Sequence, residues 1–367
     1  MKALSGFMLA LIMVMGACKT SKYPNLSDGL YADINTDKGD ILIQLEYKDV
    51  PVTTASLVSL AEGTNPYVDE KYKGKHFFDG LTFHRVVPGF VVQGGDPEGT
   101  GRGGPGYQFE DEIPLKENGE VKFSHDGKGV LAMANSGPNT NGSQFYITLD
   151  TVSRLDGGYT VFGHVVKGQE VVDSIAQGDV MNKIDIIRVG KDASDFDAPK
   201  IFANYFKKLE EEAKKKAEQL QAARESFKTM AESYKEKAET LPSGLKIYYI
   251  NKGDGEKPAI GSQVPVYYAG YFTTGDLFDS NMKDVAEKYG KYDSQRDDMG
   301  GYQPFPMDYS QDAQLIPGFK EGLLNMSVGD KVMIFIPSYL GYGPQGKGPI
   351  PPDTDLIFEL EIPKGTE

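Results

Sequence analysis

FHRVVPGFVVQGGD, from Phe83 to Asp96, and LAMANSGPNTNGSQFYI, from Leu131 to Ile147, decide how this chain is read. Around the second run, short stretches at Val130–Met133, Gln144–Leu149 and Tyr159–Val166 are separated by Gly, Asn and Asp turns, the punctuation of β-strands. Upstream, Asp40 to Glu46 alternates, with Ile41, Ile43 and Leu45 on one face and Gln44 and Glu46 on the other. Pro51 opens a helix through Ala61, and Gly63 is its stop signal. Gly99-Thr100-Gly101-Arg102-Gly103-Gly104 matches GxGxxG in form only. Pro105 and Gly106 follow directly, so no helix starts there and the dinucleotide reading is set aside.

Composition sets the outer bounds. The chain has 367 residues, which suits two domains better than one. Its 43 Gly and 21 Pro favour β-rich architecture over a helical bundle. A hydrophobic fraction of 39% and a charged fraction of 25% exclude wholesale disorder. With 39 Lys+Arg against 53 Asp+Glu the net charge is −14, which argues against a nucleic-acid-binding surface. A single cysteine leaves no internal disulfide. His76, His84, His125 and His164 form no HxH or HExxH pattern, so no metal and no cofactor is expected. His84 and His125 read as core or loop residues.

The first 18 residues, MKALSGFMLALIMVMGAC, place Lys2 before an apolar run from Phe7 to Met15, then Gly16-Ala17-Cys18. That run is too short for ~30 Å of hydrocarbon but suits a signal-peptide core. Small residues directly before the cysteine resemble the lipobox of bacterial lipoproteins. The resemblance implies lipidation of Cys18, a lipid anchor on a membrane of the cell envelope and, with Lys19 following, the outer membrane facing the periplasm. Residues 1–17 are then a signal peptide and 18–29 a tether.

Three blocks follow: a strand-rich block over residues 30–190, a helical linker over 191–240, and a second strand-rich block over 241–367. Lys207 to Gln219 is rich in Ala, Glu and Lys, with no Gly or Pro, which is helical composition. Ile201, Tyr205, Leu209, Ala213, Ala217, Leu220, Ala223, Phe227, Met230 and Tyr234 recur at three- and four-residue steps. Such a stripe packs on the chain's own domains or on a second copy, which allows a homo-oligomer through the linker. In the last block Val264–Tyr268, Lys331–Ile336 and Leu356–Ile362 are the clearest strands. No internal repeat links the two β-rich blocks.

The two opening runs, with LDGGYTVFGHV from Leu155 to Val165, resemble the cyclophilin family of peptidyl-prolyl cis–trans isomerases over about 160 residues. The resemblance implies a closed eight-stranded β-barrel capped by two helices, with the site on an outer face. It implies Arg85 as the catalytic arginine and Phe90, Tyr146 and Leu155 around the proline, with Val91 and Tyr159 at the edge. Gln93, Ala134 and Asn135 would hold substrate backbone, Gln93 and Asn135 within the catalytic set. Arg154 stands where many members carry a cyclosporin-contacting Trp, Val91 replaces Met and Tyr159 replaces His, which implies weak drug binding.

VPVYYAGYFTTGDLFDS (Val264–Ser280), LIPGFKEGLLNMSVGD (Leu315–Asp330), IPSYLGYG (Ile336–Gly343) and IPPDTDLIFELEI (Ile350–Ile362) resemble the FKBP family over about 120 residues. An antiparallel sheet wrapped on a short helix within Gly318–Leu324 is implied. So is a proline cavity lined by Tyr268, Phe278, Phe305, Leu315, Ile316, Phe319, Ile350 and Phe358, with Asp279 and Tyr342 in catalytic roles. Phe319 replaces a floor Trp and Met307 a wall Phe. Residues Asn281 to Gln303 are a polar insertion that either carries partner specificity or is a tolerated surface loop, and the loop is the preferred reading. The fold expected is mainly β with α+β character: barrel, long helical linker, and sheet on helix. The function expected is prolyl isomerisation on unfolded or exported proline-containing polypeptides in the cell envelope. A non-catalytic, proline-peptide-binding chaperone or docking module is the alternative.

Overall fold

The structure is a computed structural model that describes residues 22–364. Cys18 and the stretch read as a signal peptide lie outside the described residues. The chain divides into two compact units between Leu209 and Glu210.

In the first unit, β1 (Gly29–Thr36), β2 (Gly39–Leu45), helix α1 (Pro51–Ala61), β3 (Arg85–Val87), β4 (Val91–Gly94), β5 (Val130–Met133), β6 (Phe145–Thr148), β7 (Val161–Lys167), α2 (Gln169–Ser174) and β8 (Met181–Val189) follow one another. The eight strands form one sheet in the order β3-β4-β6-β5-β7-β2-β1-β8. Side chains alternate across the pleat and so sort into two sets. Val92, Leu131, Met133, Phe145 and Ile147 join the inner core with Ile41, Ile43 and Leu45. Val91, Val130, Ala132 and Tyr146 pack together as a separate apolar patch. Pro51 sits at the start of α1, whose residues from Thr53 to Ala61 are all buried, so the helix fills the sheet's concave side.

The expected closed barrel is not what forms. The ladder runs in one path and ends at β3 and β8, which do not pair as strands. The seam is a single bridge between Thr82 and Val180. Four backbone hydrogen bonds of 2.8–2.9 Å surround it, Gly80 and Phe83 donating to Met181 and Asp179, and Met181 and Gly178 donating to Leu81 and Phe83. These contacts come from residues 80–83, before β3 begins, and amount to a bridge rather than a strand ladder, so the sheet is a curled half-barrel.

After α3 (Lys191–Ser194), α4 runs from Ala198 to Lys237. Ala198 and Phe202 enter the first unit's core, with Ile201, Tyr205 and Phe206 against it. Leu220, Ala223, Phe227, Met230, Ala231 and Tyr234 join an apolar cluster of the second unit. Ala213 and Ala217 are exposed, so the apolar stripe is used at its two ends only.

The second unit adds β9 (Glu239–Thr240), β10 (Lys246–Asn251), β11 (Gln263–Phe272), β12 (Leu277–Ser280), α5 (Lys283–Lys288), α6 (Ser294–Asp298), β13 (Phe305–Asp308), α7 (Pro317–Leu324), β14 (Lys331–Ile336) and β15 (Leu356–Glu361). The sheet order is β12-β11-β15-β14-β10-β9, with β13 also on β11. Both faces are covered. Val266, Val332, Ile334, Ile336, Phe358 and Leu360 pack with Phe319 and Leu323 of α7. Ala269, Tyr271, Met333, Phe335 and Ile357 pack with α4 and with Met282 and Tyr289. Two covered faces explain why these strands read as nearly continuous apolar runs.

Candidate functional site

Strand register builds the first site. Arg85 pairs with Gln93, Gln93 with Tyr146, Tyr146 with Ala132 and Ala132 with Val161. Directly opposed residues share a face, so these side chains form one row across the outside of the sheet. Phe90, Ala134, Leu155 and Tyr159 close on the buried Val91, Val130, Ala132, Tyr146 and Val161. The result is an apolar patch with a cation at its edge. Arg85 Nη1 donates to Gln93 Oε1 at 3.2 Å, Gln93 Nε2 to Gln144 Oε1 at 3.0 Å, and Gln144 Nε2 to the Gly103 carbonyl at 2.9 Å. Arg154 lies over the Phe90 ring at 4.4 Å and Arg85 at 5.8 Å.

Beside the patch, Gln93, Ala134 and Asn135 line a recess of about 300 Å³ with Gly101 to Gly104. Asn135 Nδ2 donates to the Gly158 carbonyl at 3.2 Å. The Gly-rich loop is fixed by Asp96, whose carboxylate accepts from the backbone N–H of Glu98 at 2.7 Å, Thr100 at 2.9 Å and Gly101 at 2.5 Å. Burial pushes the Asp96 carboxyl up, but these donors, with Gly103, outweigh it and hold it below its ordinary range. A Cβ on Gly103 would lie 2.1 Å from Asp96 Oδ1, so the loop needs glycine there for close approach, not for phosphate binding. All nine first-site residues named from the sequence therefore meet on one face.

Sequence reasoning missed the support beneath Tyr146. His125 is fully buried; its Nδ1 lies 2.8 Å from Asp156 Oδ1 and its Nε2 2.8 Å from Tyr146 Oη. Its backbone N–H also donates to Asp156 Oδ1 at 2.7 Å. Burial raises the Tyr146 phenol far above its ordinary value, so the hydroxyl stays neutral and anchors the ring. No spacing in the sequence links these three residues.

In the second unit Tyr268, Phe278, Asp279, Phe305, Met307, Leu315, Ile316, Phe319, Tyr342 and Phe358 line a cavity of about 340 Å³, joined by Gln314 and Lys347. That is at the small end of ligand sites and suits a ring of proline's size. Phe319 meets Phe358 edge-on at 5.1 Å and Phe358 meets Phe278 at 5.4 Å. Gly270 makes room for them, since a Cβ there would lie 2.4 Å from Phe278 Cζ. Ile350 departs from the expectation. It is buried in the core with Val266 and Phe319 and is not among the residues that line the cavity. Phe305, by contrast, is 61% exposed, an apolar rim. Tyr268 Oη donates to Asp279 Oδ2 at 2.6 Å, and Arg296 Nη1 donates to Asp279 Oδ1 at 2.7 Å. Burial, with the Asp279 carboxylate acting the same way, pushes the Tyr268 phenol up to about 12. Arg296 comes from the insertion and had no sequence signal. Among the described residues no cluster of three or more His, Cys, Asp or Glu is placed to hold a metal ion.

Residues 31–191 match the family model of cyclophilin type peptidyl-prolyl cis-trans isomerases, and residues 254–363 that of FKBP-type peptidyl-prolyl cis-trans isomerases. The chain is 47% identical over 150 residues to the probable peptidyl-prolyl cis-trans isomerase A of Mycobacterium leprae, covering 40% of this chain and 79% of that protein. It is 45% identical over 157 residues to peptidyl-prolyl cis-trans isomerase B of Streptomyces anulatus, covering 41% and 86%. A crystal structure of a Cryptosporidium parvum cyclophilin type isomerase in the presence of the dipeptide Ala-Pro aligns at 28% identity and a TM-score of 0.34, over 44% of this chain and 99% of that one. The row of Arg85, Gln93 and Tyr146 thus lies inside a matched isomerase domain, and the aromatic cavity inside another: the chain is a peptidyl-prolyl cis–trans isomerase that belongs to the cyclophilin family and carries an FKBP-type domain as its second unit.

Proposed function

We propose that both units isomerise Xaa-Pro bonds of unfolded or exported polypeptides, and that the protein works in the cell envelope, held to a membrane by lipid on Cys18. The observation that carries the catalytic reading is the Arg85–Gln93–Tyr146 row beside an apolar patch. Rotation about Xaa-Pro is opposed by amide resonance worth ~18–20 kcal/mol. The twisted transition state has a pyramidal, basic prolyl nitrogen. A guanidinium aimed at that nitrogen stabilises the twisted form more than the planar one, which is what acceleration requires. Gln93 fixes the guanidinium's direction. Phe90, Val91, Tyr146 and Leu155 hold the pyrrolidine ring while the other side turns, and Ala134 and Asn135 hold the neighbouring backbone.

The second cavity works by desolvation. A planar amide has a large dipole that water stabilises, and twisting reduces it. Rings from Tyr268, Phe278, Phe319 and Phe358 strip that water, Tyr342 holds a carbonyl, and Asp279 keeps the Tyr268 ring in place, so that its removal opens the cavity to water. A binding-only role is the second reading for this unit alone, because Asp279 spends both oxygens on Arg296 and Tyr268.

Full-length chains carrying Arg85→Ala, Asp279→Ala or both separate these readings on an Ala-Pro peptide. Each single variant keeps the rate of the untouched unit, and the double variant loses most of both. A double variant as fast as the parent refutes the assignment. The anchor is read by fractionation: Cys18→Ala should leave the membrane fraction, and its retention there refutes lipidation.

A further inference from the structure

Residues 281–303 are built into the second unit. Asn281 is buried and holds both ends of the segment. Its Nδ2 donates to the carbonyls of Val266 at 2.9 Å and Gln303 at 3.1 Å, and its Oδ1 accepts from the Tyr268 N–H at 2.6 Å. Met282, Ala286, Tyr289 and Tyr302 are buried. Asp293 caps α6, accepting from the N–H of Gln295 at 2.8 Å and Arg296 at 3.1 Å. Tyr292 stacks on Tyr302 with centroids 5.6 Å apart, and Lys283 pairs with Asp297 at 2.6 Å. The expectation of a merely tolerated loop does not describe a segment tied down at this many points.

What the segment builds is a second cleft. Phe278 and Asp279 are a wall with the proline cavity on one side and a cleft of about 720 Å³ on the other. Lys291, Tyr292, Asp293 and Arg296 line that cleft. Three of its four charges are committed inside the chain: Asp279 and Arg296 to each other, Asp293 to the α6 cap. The Lys291 backbone is tied to Ala286 and Tyr302, but its side chain is exposed and its ammonium has no ion pair or hydrogen bond among the described residues. An extended peptide advances ~3.3–3.6 Å per residue. Two or three residues beyond a seated proline are therefore enough to reach across the wall into the cleft.

We propose that residues 281–303 form a subsite for the client segment flanking the proline, and that Lys291 gives it a preference for an acidic side chain there. The proposal rests on the reading that the second cavity holds proline. An exposed pair of this kind is worth about two- to fivefold in affinity and is screened by salt.

The test is amide NMR on the full chain, titrated with Ala-Pro peptides flanked by Glu or by Lys. Resonances of the second unit report this site apart from the first. The expected result is shifts at residues 291–296 as well as at Tyr268 and Phe319, with the Glu peptide about two- to fivefold tighter at low salt. In Lys291→Glu, the order should reverse. Shifts at the cavity alone, or an order unchanged by Lys291→Glu, overturn the subsite while leaving the cavity reading intact. No shift at Tyr268 or Phe319 with either peptide refutes the cavity reading and the subsite with it.

Discussion

Arg85 is exposed and contributes little to folding, yet it is the cation beside the apolar patch whose direction a side-chain hydrogen bond sets. Removing one preorganised donor of this kind costs ~2.7–4 kcal/mol of transition-state stabilisation, or roughly a hundred- to a thousand-fold in rate. In a chain whose second unit is silenced by Asp279→Ala, Arg85→Ala should lower kcat/KM on that scale with circular dichroism unchanged. Arg85→Lys should recover part of it, because an ammonium lacks the planar fork. A loss below about threefold would shift the burden to the apolar pocket. The motifs displayed Arg85, Gln93 and Tyr146 because they sit in two contiguous, well-matched runs. It could not display His125 and Asp156 as pocket supports, since a buried imidazole carries no periodic signal and its partners are 21 and 31 residues away. Removing His125 strands the buried Tyr146 hydroxyl, at about 1–3 kcal/mol for an unsatisfied group. His125→Ala should therefore cost less when made on Tyr146→Phe than on the parent, by roughly 0.5–3 kcal/mol in a double-mutant cycle of urea midpoints. Additive losses would show that the three residues do not act together.

Elements were legible where period and punctuation agreed. The helix from Pro51 to Ala61 forms at those residues, and the alternation of Ile41, Ile43 and Leu45 places all three in the inner core. Barrel closure was not legible, because it depends on how residues 80–83 meet residues 178–181, about a hundred positions away in sequence. The order of the insertion was not legible either: Asn281 and Tyr289 tie it to other elements, and Tyr302 holds it from within through the Asp293 N–H, none of which has a periodic signal. The Gly-rich loop gives a pH prediction. The Asp96 carboxyl is held below its ordinary value in the folded chain. Its unfolded value is ~3.9, so its contribution is present in full above about pH 5. It is lost as pH falls through the lower, folded value, where protonation removes the acceptor for three backbone N–H groups. Amide exchange at Thr100 and Gly101, referenced to exchange in β1, should accelerate as pH drops from about 5 to 2. Asp96→Asn should already exchange faster at pH 5 and change less. Equal protection at both pH values would mean that the glycine backbone holds the loop without the carboxylate.

At the scale of the whole molecule, each unit has its own sheet and its own apolar core, and each site draws only on residues of its own unit. The composition shift at Lys207 to Gln219 marked the helix in the sequence, but the stripe through Leu209, Ala213 and Ala217 implied packing along its whole length, whereas the structure packs it only at its two ends. Residues 210–219 are accordingly exposed, apart from tertiary packing at the two ends of α4. A protease site placed near Ala213 should be cut without exposing either core. After cleavage, Arg85→Ala should still abolish only the first unit's turnover and Asp279→Ala only the second's, with the sum of rates unchanged from the intact chain. Thermal unfolding should keep the same midpoints before and after cutting, since the exposed stretch buries no apolar surface whose loss could shift them. If cutting abolished the activity of either unit while its circular dichroism stayed native, α4 would be transmitting something to that site, and the two isomerase units would have to be treated as one coupled enzyme.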